Sequence, residues 1–560
     1  MNSNPAPTRR LTPELLAIIL IVVAYVAWLL SMPAWPSQDG PVHLYYTRVL
    51  GALMSHSNSA YVRYFAIKHV LPPYALYYYG LLALSTIFRP LLADRLIVCV
   101  YVISFVFGFR YLARALGPSA DTATLLATAL ILNWPLGMGF VNFCLSLSFA
   151  FWAIGLWMRF ADRVHGAEGI DLRRRVEFVL LAIVIMLTHP VPLSLVVIVC
   201  LVLLTIDRFR KERPAAFGRD VVTLAVASLT LVYVKLFATS HPLEQIEPTQ
   251  GSFLVELANR VLRYAREDGV VLVFGHSLTV YIYRIGIGVL LILPIALGVR
   301  QRLRNRAARL WTKADTMLVL GLLLLVLLPL IPPQINGLFY FADRMPLLVW
   351  ITLLSAASGA VALAAQRQSV RALVIAFAIL TNAALLFASE TILRPIARSI
   401  AAVESTPVTL SGQLGFIMED PRPPASVVNG PSWNPYYWAS IHVLRHNDAI
   451  LANAPWMNET ILPVGATEAL PERSIAALRT PQPTHVYGAL ASSPQDLRAT
   501  LNTVGFFVVT QAGRQGDGSA GQALVATDPA ARTEWTCQVP MPGWYSLCQK
   551  ANHADGEQRR

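Results

Sequence analysis

The chain has 560 residues, 55% of them hydrophobic and only 14% charged, and its mean hydropathy is +0.53. A soluble protein carries roughly a quarter charged residues, so this composition excludes a water-soluble globular enzyme and indicates a polytopic membrane protein. The net charge of +13 calls for no nucleic-acid partner, because Lys and Arg gather in short segments between apolar runs, as in cytoplasmic loops.

A membrane span needs roughly 17–25 predominantly apolar residues. Such runs lie near residues 13–33, 95–113, 121–139, 143–161, 176–189, 190–206, 220–238, 278–298, 315–332, 345–363 and 370–389. They predict about eleven transmembrane helices. The first run is long enough to cross and lacks a small-x-small cleavage site, so it reads as an uncleaved signal anchor. A further run at 72–93, "PPYALYYYGLLALSTIFRPLLA", is apolar enough to compete. Counting it as a span would move every later loop to the other side.

The basic loops decide between the two topologies. With 72–93 lying on the surface, "RFADRVHGAEGIDLRRR", "DRFRKERPAAFGRD" and "RQRLRNRAARLWTK" all fall on the side of Arg9 and Arg10. The alternate loops "GMGFVN" and "IPPQINGLFYFAD" then hold no Lys or Arg. That asymmetry predicts a cytoplasmic N-terminus, a Tyr-rich interfacial helix at 72–93, and an external C-terminal part. Within 176–206, "THPVP" interrupts one long apolar run, and Pro190 predicts two helices meeting at His189.

Two domains follow: a membrane domain over residues 1–390, with juxtamembrane helices in the first external loop (35–93), and an extracytoplasmic globular domain over 391–560. In the second, "ASVVNG", "HVYGAL" and "FFVVTQ" read as strands and "ASIHVLRHND" as a helix, which predicts an α+β domain. "GRQGDGSAGQ" reads as a flexible loop. Cys99, Cys144 and Cys200 sit in apolar runs as small packing residues. Cys537 and Cys548 flank a Pro-Gly turn in the polar tail. Outside the cytoplasm they would form a disulfide, and in the cytosol they would be two unrelated thiols.

No P-loop, strand-bound GxGxxG, HExxH or GxSxG occurs in the chain. Asn458 in "NET" matches a glycosylation sequon, a short pattern frequent by chance. The span centres contain almost no Asp or Glu, which speaks against an ion-coupled transporter. Polar groups gather instead at the expected outer ends of spans: Asp39 and His43, His189, Lys235 and His241, Arg284, and Asp343 with Arg344. Each alone reads as interfacial anchoring. Together, an acid, several bases and apolar walls suit a lipid-phosphate substrate reacting with a polar acceptor. Asp39 also precedes Gly-Pro, a good helix start, so it doubles as a candidate N-cap. His189 in "THP" reads as a residue that stabilises the break. Trp433, Tyr436, Tyr437 and Trp438 in "PSWNPYYWASIH" read as a core or membrane-contacting patch, or as a platform for sugar rings.

A cytoplasmic start, one span and an Asp in the first external loop resemble the GT-C glycosyltransferases, which use polyprenyl-phosphate sugars. The run "LPPYALYYYGLLALSTIF" followed by "ADRLIVCVYVISFVFGFRYLARALG" looks like that superfamily's juxtamembrane elements before the second span. The resemblance implies a membrane-embedded inverting glycosyltransferase of the bacterial inner membrane, with a lipid-linked sugar donor and a glycan, lipid or protein acceptor. In it Asp39 is the general base. Arg344, Arg284 and Lys235 lie near the lipid phosphate, and His43 orients Asp39 or binds phosphate. Two features depart from the family: Gly40 follows Asp39 where members often carry a second acid, and Asn142 stands in the second external loop where many have another. A divalent cation would want several charged oxygens, so the metal is left unknown; Asn142 can bind a sugar hydroxyl or supply one neutral oxygen. The competing expectation is a non-catalytic transporter or assembly protein for lipid-linked envelope glycans.

Overall fold

The computed structural model describes residues 12–56, 61–67, 73–162, 168–209, 214–233, 312–331, 341–364 and 368–405. It also describes a few helical positions between 285 and 296 and six strand segments after 411. Fourteen helices with printed bounds can be followed in chain order among the described residues. They are α1 (Pro13–Ser31), α2 (Gly40–Met54), α3 (Tyr61–Tyr64), α4 (Ala75–Ile87), α5 (Pro90–Leu116), α6 (Ala120–Ala127) and α7 (Trp134–Met138). After these come α8 (Val141–Asp162), α9 (Glu168–Thr188), α10 (Pro190–Phe209), α11 (Pro214–Tyr233), α12 (Lys313–Leu327), α13 (Phe341–Ala364) and α14 (Gln368–Ser405).

Among the described residues, six helical stretches are long and apolar enough to cross a membrane: 13–31, 90–116, 141–159, 190–209, 313–330 and 368–398. They make this a multi-pass membrane protein. The expected span 220–238 is described as far as Tyr233, within α11, whereas 278–298 lies largely outside the described residues, as do Lys235, His241 and Arg284. The Tyr-rich run forms a helix of 13 residues, α4, short of the roughly 20 needed to cross. The break at His189 falls between α9 and α10, as Pro190 requires.

One predicted span is not a continuous helix. Within 121–139, α6 ends at Ala127, a 3-10 turn covers Thr128–Leu130, and α7 restarts at Trp134. The cause is local. Asn133 Oδ1 accepts from Leu136 N at 3.0 Å and starts a new helix, Pro135 lacks the N–H that a continuing helix would use, and Gly139 ends α7 with φ +92°. Hydropathy averages over such a break. What it produces is an irregular loop walled by buried side chains.

The helices enclose one apolar core centred on α5 and α8. A Cβ on Gly108 would come within 2.8 Å of Ser148 O, so the two backbones touch only because that position is glycine. Phe151 of α8 then packs edge-on against Phe105 and Phe109 of α5. Buried polar side chains tie the outer helices to this pair. Tyr25 Oη donates to Asn382 Oδ1 at 3.0 Å, and Asn382 Nδ2 donates to Thr128 Oγ1 at 2.9 Å, joining α1, α14 and the 3-10 turn. Arg95 Nη1 donates to the carbonyls of Leu30, at 2.9 Å, and Met32. This secures the end of α1 just before the chain turns into its first loop.

The helix α14 continues past residue 390 to Ser405. Beyond it, β2 (Gly412–Met418), β3 (Ala449–Leu451), β5 (Phe506–Thr510), β6 (Trp535–Met541) and β7 (Tyr545–Lys550) form a mixed sheet in the order β3-β2-β5-β7-β6. Of the expected strands, "FFVVTQ" becomes β5, whereas "ASVVNG", "HVYGAL", the helix "ASIHVLRHND", Asn458 and the aromatic run from Trp433 lie outside the described residues. β6 and β7 form an antiparallel hairpin that places Cys537 opposite Cys548. A separate pair joins β1 (Phe65–Ile67), in the first loop, to β4 (Ile461–Pro463).

Candidate functional site

The site grows from the turn after α1. Pro33 and Pro36 keep the chain out of a helix, and Ser37 N closes a tight turn on Trp35 O at 3.0 Å. The next two N–H groups reach across to the other irregular loop: Gln38 N donates to Gly137 O at 3.1 Å and Asp39 N to Met138 O at 3.0 Å. The first loop is therefore stitched to the end of α7. α2 then starts, with Asp39 in the N-cap position and Pro41 in its first turn.

Asp39 does not do what an N-cap side chain usually does. Its backbone sits at φ −89°, ψ −10°, and the carboxylate makes no capping bond to the helix. It is half-buried, and the enclosing protein pushes its pKa up to about 7. The positive charge of Arg344 and a hydrogen bond from the Gln38 side chain act in the opposite direction. The carboxylate thus stays available to a substrate.

His43 lies one turn along α2. Its Nδ1 and the Tyr78 hydroxyl share a hydrogen bond of 2.9 Å, and its ring packs edge-on against Tyr77 at 5.3 Å. Burial lowers its pKa to about 4, with the Gly139 backbone opposing the shift. Tyr77 and Tyr78 of α4 therefore pack onto the site. The sequence shows them as interfacial residues because aromatic belts have the same composition. Tyr77 and Tyr78 are both buried. Burial first, then the negative charges of Asp94 and Asp39, hold the Tyr77 phenol protonated far above its ordinary range. Tyr74, at the head of the same helix, holds φ 71°, a strained value for a bulky residue and one seen mainly where function demands it.

A second cluster adjoins the first. Arg344, four residues into α13, is buried and directs Nη1 to within 2.8 Å of His189 Nε2. Its guanidinium lies over the Phe140 ring at 4.1 Å and near Phe143 at 5.7 Å. His189 keeps the role expected at a break, since its Nδ1 accepts from Val191 N at 3.2 Å at the start of α10. It also packs against Tyr74, at 4.9 Å between rings. Asn142 is buried at the start of α8, but its Oδ1 accepts from Phe143 N at 2.8 Å. That bond leaves the amide nitrogen as its donor for a ligand.

Of the residues expected from sequence, Asp39, His43, Asn142 and Arg344 converge on the two stitched loops, while Lys235 and Arg284 lie outside the described residues. Gln38, Tyr77, Tyr78, Asp94 and Gly139 were not expected. Among the described residues no three His, Cys, Asp or Glu side chains gather as a metal ion would require. An acid able to accept a proton, a cation on aromatic walls and several phenols are what the arrangement offers.

No protein-family model matches the chain, and no curated protein does. Among solved structures, ArnT from Cupriavidus metallidurans, determined bound to undecaprenyl phosphate, superposes with a TM-score of 0.50 at 13% identity. The match covers 97% of this chain and 98% of that one. The chain shares its overall fold with that structure. An Archaeoglobus fulgidus oligosaccharyltransferase, solved with zinc and sulfate, gives a TM-score of 0.43 at 12% identity, over 94% of this chain and 72% of that one. The ArnT likeness speaks to the fold alone, and the site is argued from its own residues.

Proposed function

We propose that the protein transfers a sugar from a polyprenyl-phosphate donor to an acceptor hydroxyl at the external face of the inner membrane, with Asp39 as the general base. The observation that carries this reading is the uncapped carboxylate of Asp39, raised to about 7 and opposed by Arg344. An acid with a pKa near the working pH is the best compromise between being ionised and being basic. The fold shared with an ArnT structure that holds undecaprenyl phosphate supports the choice of donor.

In this reaction the acceptor oxygen attacks the anomeric carbon from the face opposite the phosphate. The new C–O bond forms as the bond to the phosphate oxygen breaks, and the acceptor proton passes to Asp39, so the configuration inverts. The lipid phosphate leaves with its electron pair, and its growing charge is met by the Arg344 guanidinium, whose fork matches phosphate oxygens. Arg344 works in an enclosed place, where such a charge counts for more than in water. Lys235 and Arg284 are proposed to share this task. His43, uncharged above pH of about 4, orients the base side of the site through Tyr78. The C-terminal segment 391–560, outside the membrane in this reading, would present or select the acceptor, and the β1–β4 pairing would tether it to the first loop.

Asp39→Asn, at unchanged expression, should abolish the glycan product in a complementation assay; an unchanged product would remove Asp39 from the chemistry. For orientation, a reporter that works only in the periplasm should be active when fused after residue 395. An inactive fusion reverses the loop assignments.

A further inference from the structure

Several polar atoms on the first-loop turn and the helices packed against it are buried and make no hydrogen bond among the described residues, and five of them concern the surroundings of Asp39. They are Trp35 Nε1, Ser37 Oγ, Gln38 Oε1, Tyr77 Oη and Asp94 Oδ1. Nearly all buried polar groups in folded proteins find partners, so a cluster of exceptions needs a cause. Two of the five residues, Ser37 and Asp94, stand beside Gly40. A Cβ built on Gly40 would strike Ser37 Oγ and come within 3.7 Å of Asp94 Oδ2. Tyr77 lies in the electrostatic field of Asp94 and, more weakly, of Asp39. Asp94 is 2% exposed and Ser37 is 0% exposed. A carboxyl group with an unmade bond in such a place is costly unless something arrives to satisfy it.

Asp94 begins the fifth helix, far along the chain from Asp39, yet the fold brings it to the residue that follows Asp39. The glycine at position 40 leaves room for that approach. The sequence lacks a second acid beside Asp39, and α5 supplies one in space.

The surrounding charges narrow what this cluster would take. Asp39 feels the positive charge of Arg344 and Asp94 that of Arg95, so each acid already has a guanidinium charge in its surroundings. A divalent cation would add to the positive charge already near the acids, and among the described residues no third His, Cys, Asp or Glu joins the two. The available atoms are a carboxylate and two hydroxyls, groups that accept from and donate to neutral O–H groups. A carboxylate can accept from two neighbouring hydroxyls at once.

We propose that Asp94 and Ser37 beside Gly40, together with Tyr77, form the subsite that binds the hydroxyls of the sugar being transferred, making Asp94 a specificity-determining residue. This rests on the glycosyltransferase reading above. Asp94 holds the sugar ring while Asp39 deals with the acceptor, and the lipid phosphate is held separately by Arg344.

The test uses the full chain in lipid nanodiscs, in chelator-treated buffer, with two kinds of probe. One is bare undecaprenyl phosphate. The other is undecaprenyl phosphate carrying one hexose, supplied separately as the glucose, galactose and mannose forms. The wild-type protein should bind at least one sugar-linked form about ten-fold more tightly than the bare lipid, the scale of one charge-assisted hydrogen bond. Asp94→Asn and Gly40→Ala should bind the bare lipid as the wild type does and lose that gain. The subsite is overturned if Asp94→Asn keeps the gain, or if it loses bare-lipid binding to the same extent, which would mark a structural role. It is also overturned if the gain appears only after Mg2+ or Mn2+ is added. A wild type that binds bare lipid and gains from none of the three hexoses sinks the subsite alone. One that binds neither kind of lipid sinks the polyprenyl-phosphate reading itself, and the subsite with it.

Discussion

Gly139 packs so tightly on Asp39 that a Cβ there would lie 2.8 Å from the Asp39 nitrogen and 2.9 Å from its Cβ. The position of the proposed base is thus fixed by a glycine in the second loop, at φ +92°. Gly139→Ala should displace the Asp39 turn as well as strain its own backbone, which costs roughly 1–2 kcal/mol for an L-residue in a left-handed conformation. The expected result is a lower thermal midpoint in detergent and a fall in sugar transfer larger than the stability loss explains. Wild-type transfer by Gly139→Ala would show that Asp39 is not held by this contact.

The pH dependence follows from the direction of the Asp39 shift. Burial raises its pKa to about 7, so the basic carboxylate form predominates above that value and is lost as pH falls through it. The transfer rate at low substrate should therefore rise with pH and reach half its maximum near 7 on the acid side. His43, lowered to about 4, keeps one protonation state across this range and adds no second limb. A rate that is flat from pH 5 to 8 in a pH–rate measurement would contradict the assignment of Asp39 as base.

Asp39 and His43 could be read from the sequence because a short Pro-rich turn after one apolar run fixes where they fall. The break at His189 could be read for a similar reason, since Pro190 dictates it locally. Asp94 and Tyr77 could not be found this way. Each sits in a segment whose hydropathy reports membrane burial, and their approach to Asp39 depends on how α4 and α5 pack against α2. The run 121–139 misled for the opposite reason. Its composition is apolar enough to span, and only the capping by Asn133 and the turn at Gly139 reveal a loop that braces the site. The hairpin of β6 and β7 is hidden in the sequence by its mixed polar composition, although the Pro-Gly turn between its halves is visible.

Arg344 is proposed to serve two purposes that substitutions can separate. Its positive charge holds the Asp39 pKa down. Arg344→Gln should therefore move the acid limb of the pH–rate profile upward, because the carboxylate loses a stabilising cation. Arg344→Lys keeps the charge, so the limb should stay near its original position. Lys cannot reproduce the planar fork, however, nor the stacking seen over Phe140 at 4.1 Å. Its affinity for undecaprenyl phosphate should drop about ten-fold, or roughly 1.4 kcal/mol. Identical pH profiles for wild type and Arg344→Gln would separate Arg344 from Asp39 electrostatically.

Cys537 and Cys548 are direct partners in the antiparallel register of β6 and β7. Opposed residues in such a ladder have Cα atoms about 4.5–5.5 Å apart, inside the span a disulfide bridges. Geometry thus permits the bond, and the redox compartment decides whether it forms. If the C-terminal segment lies outside the cytoplasm, protein isolated with thiol-blocking reagent present should yield one cross-linked peptide carrying both residues under non-reducing mass spectrometry. Cys99, Cys144 and Cys200, buried in the helices, should remain unoxidised in the same sample. Closing this short loop should stabilise the hairpin by roughly 2–3 kcal/mol, so Cys537→Ser or Cys548→Ser should increase proteolysis there. Membrane-domain activity should be largely retained in either variant. Recovery of both residues as blocked free thiols would instead place the hairpin in a reducing compartment, and the proposed topology would have to be reversed.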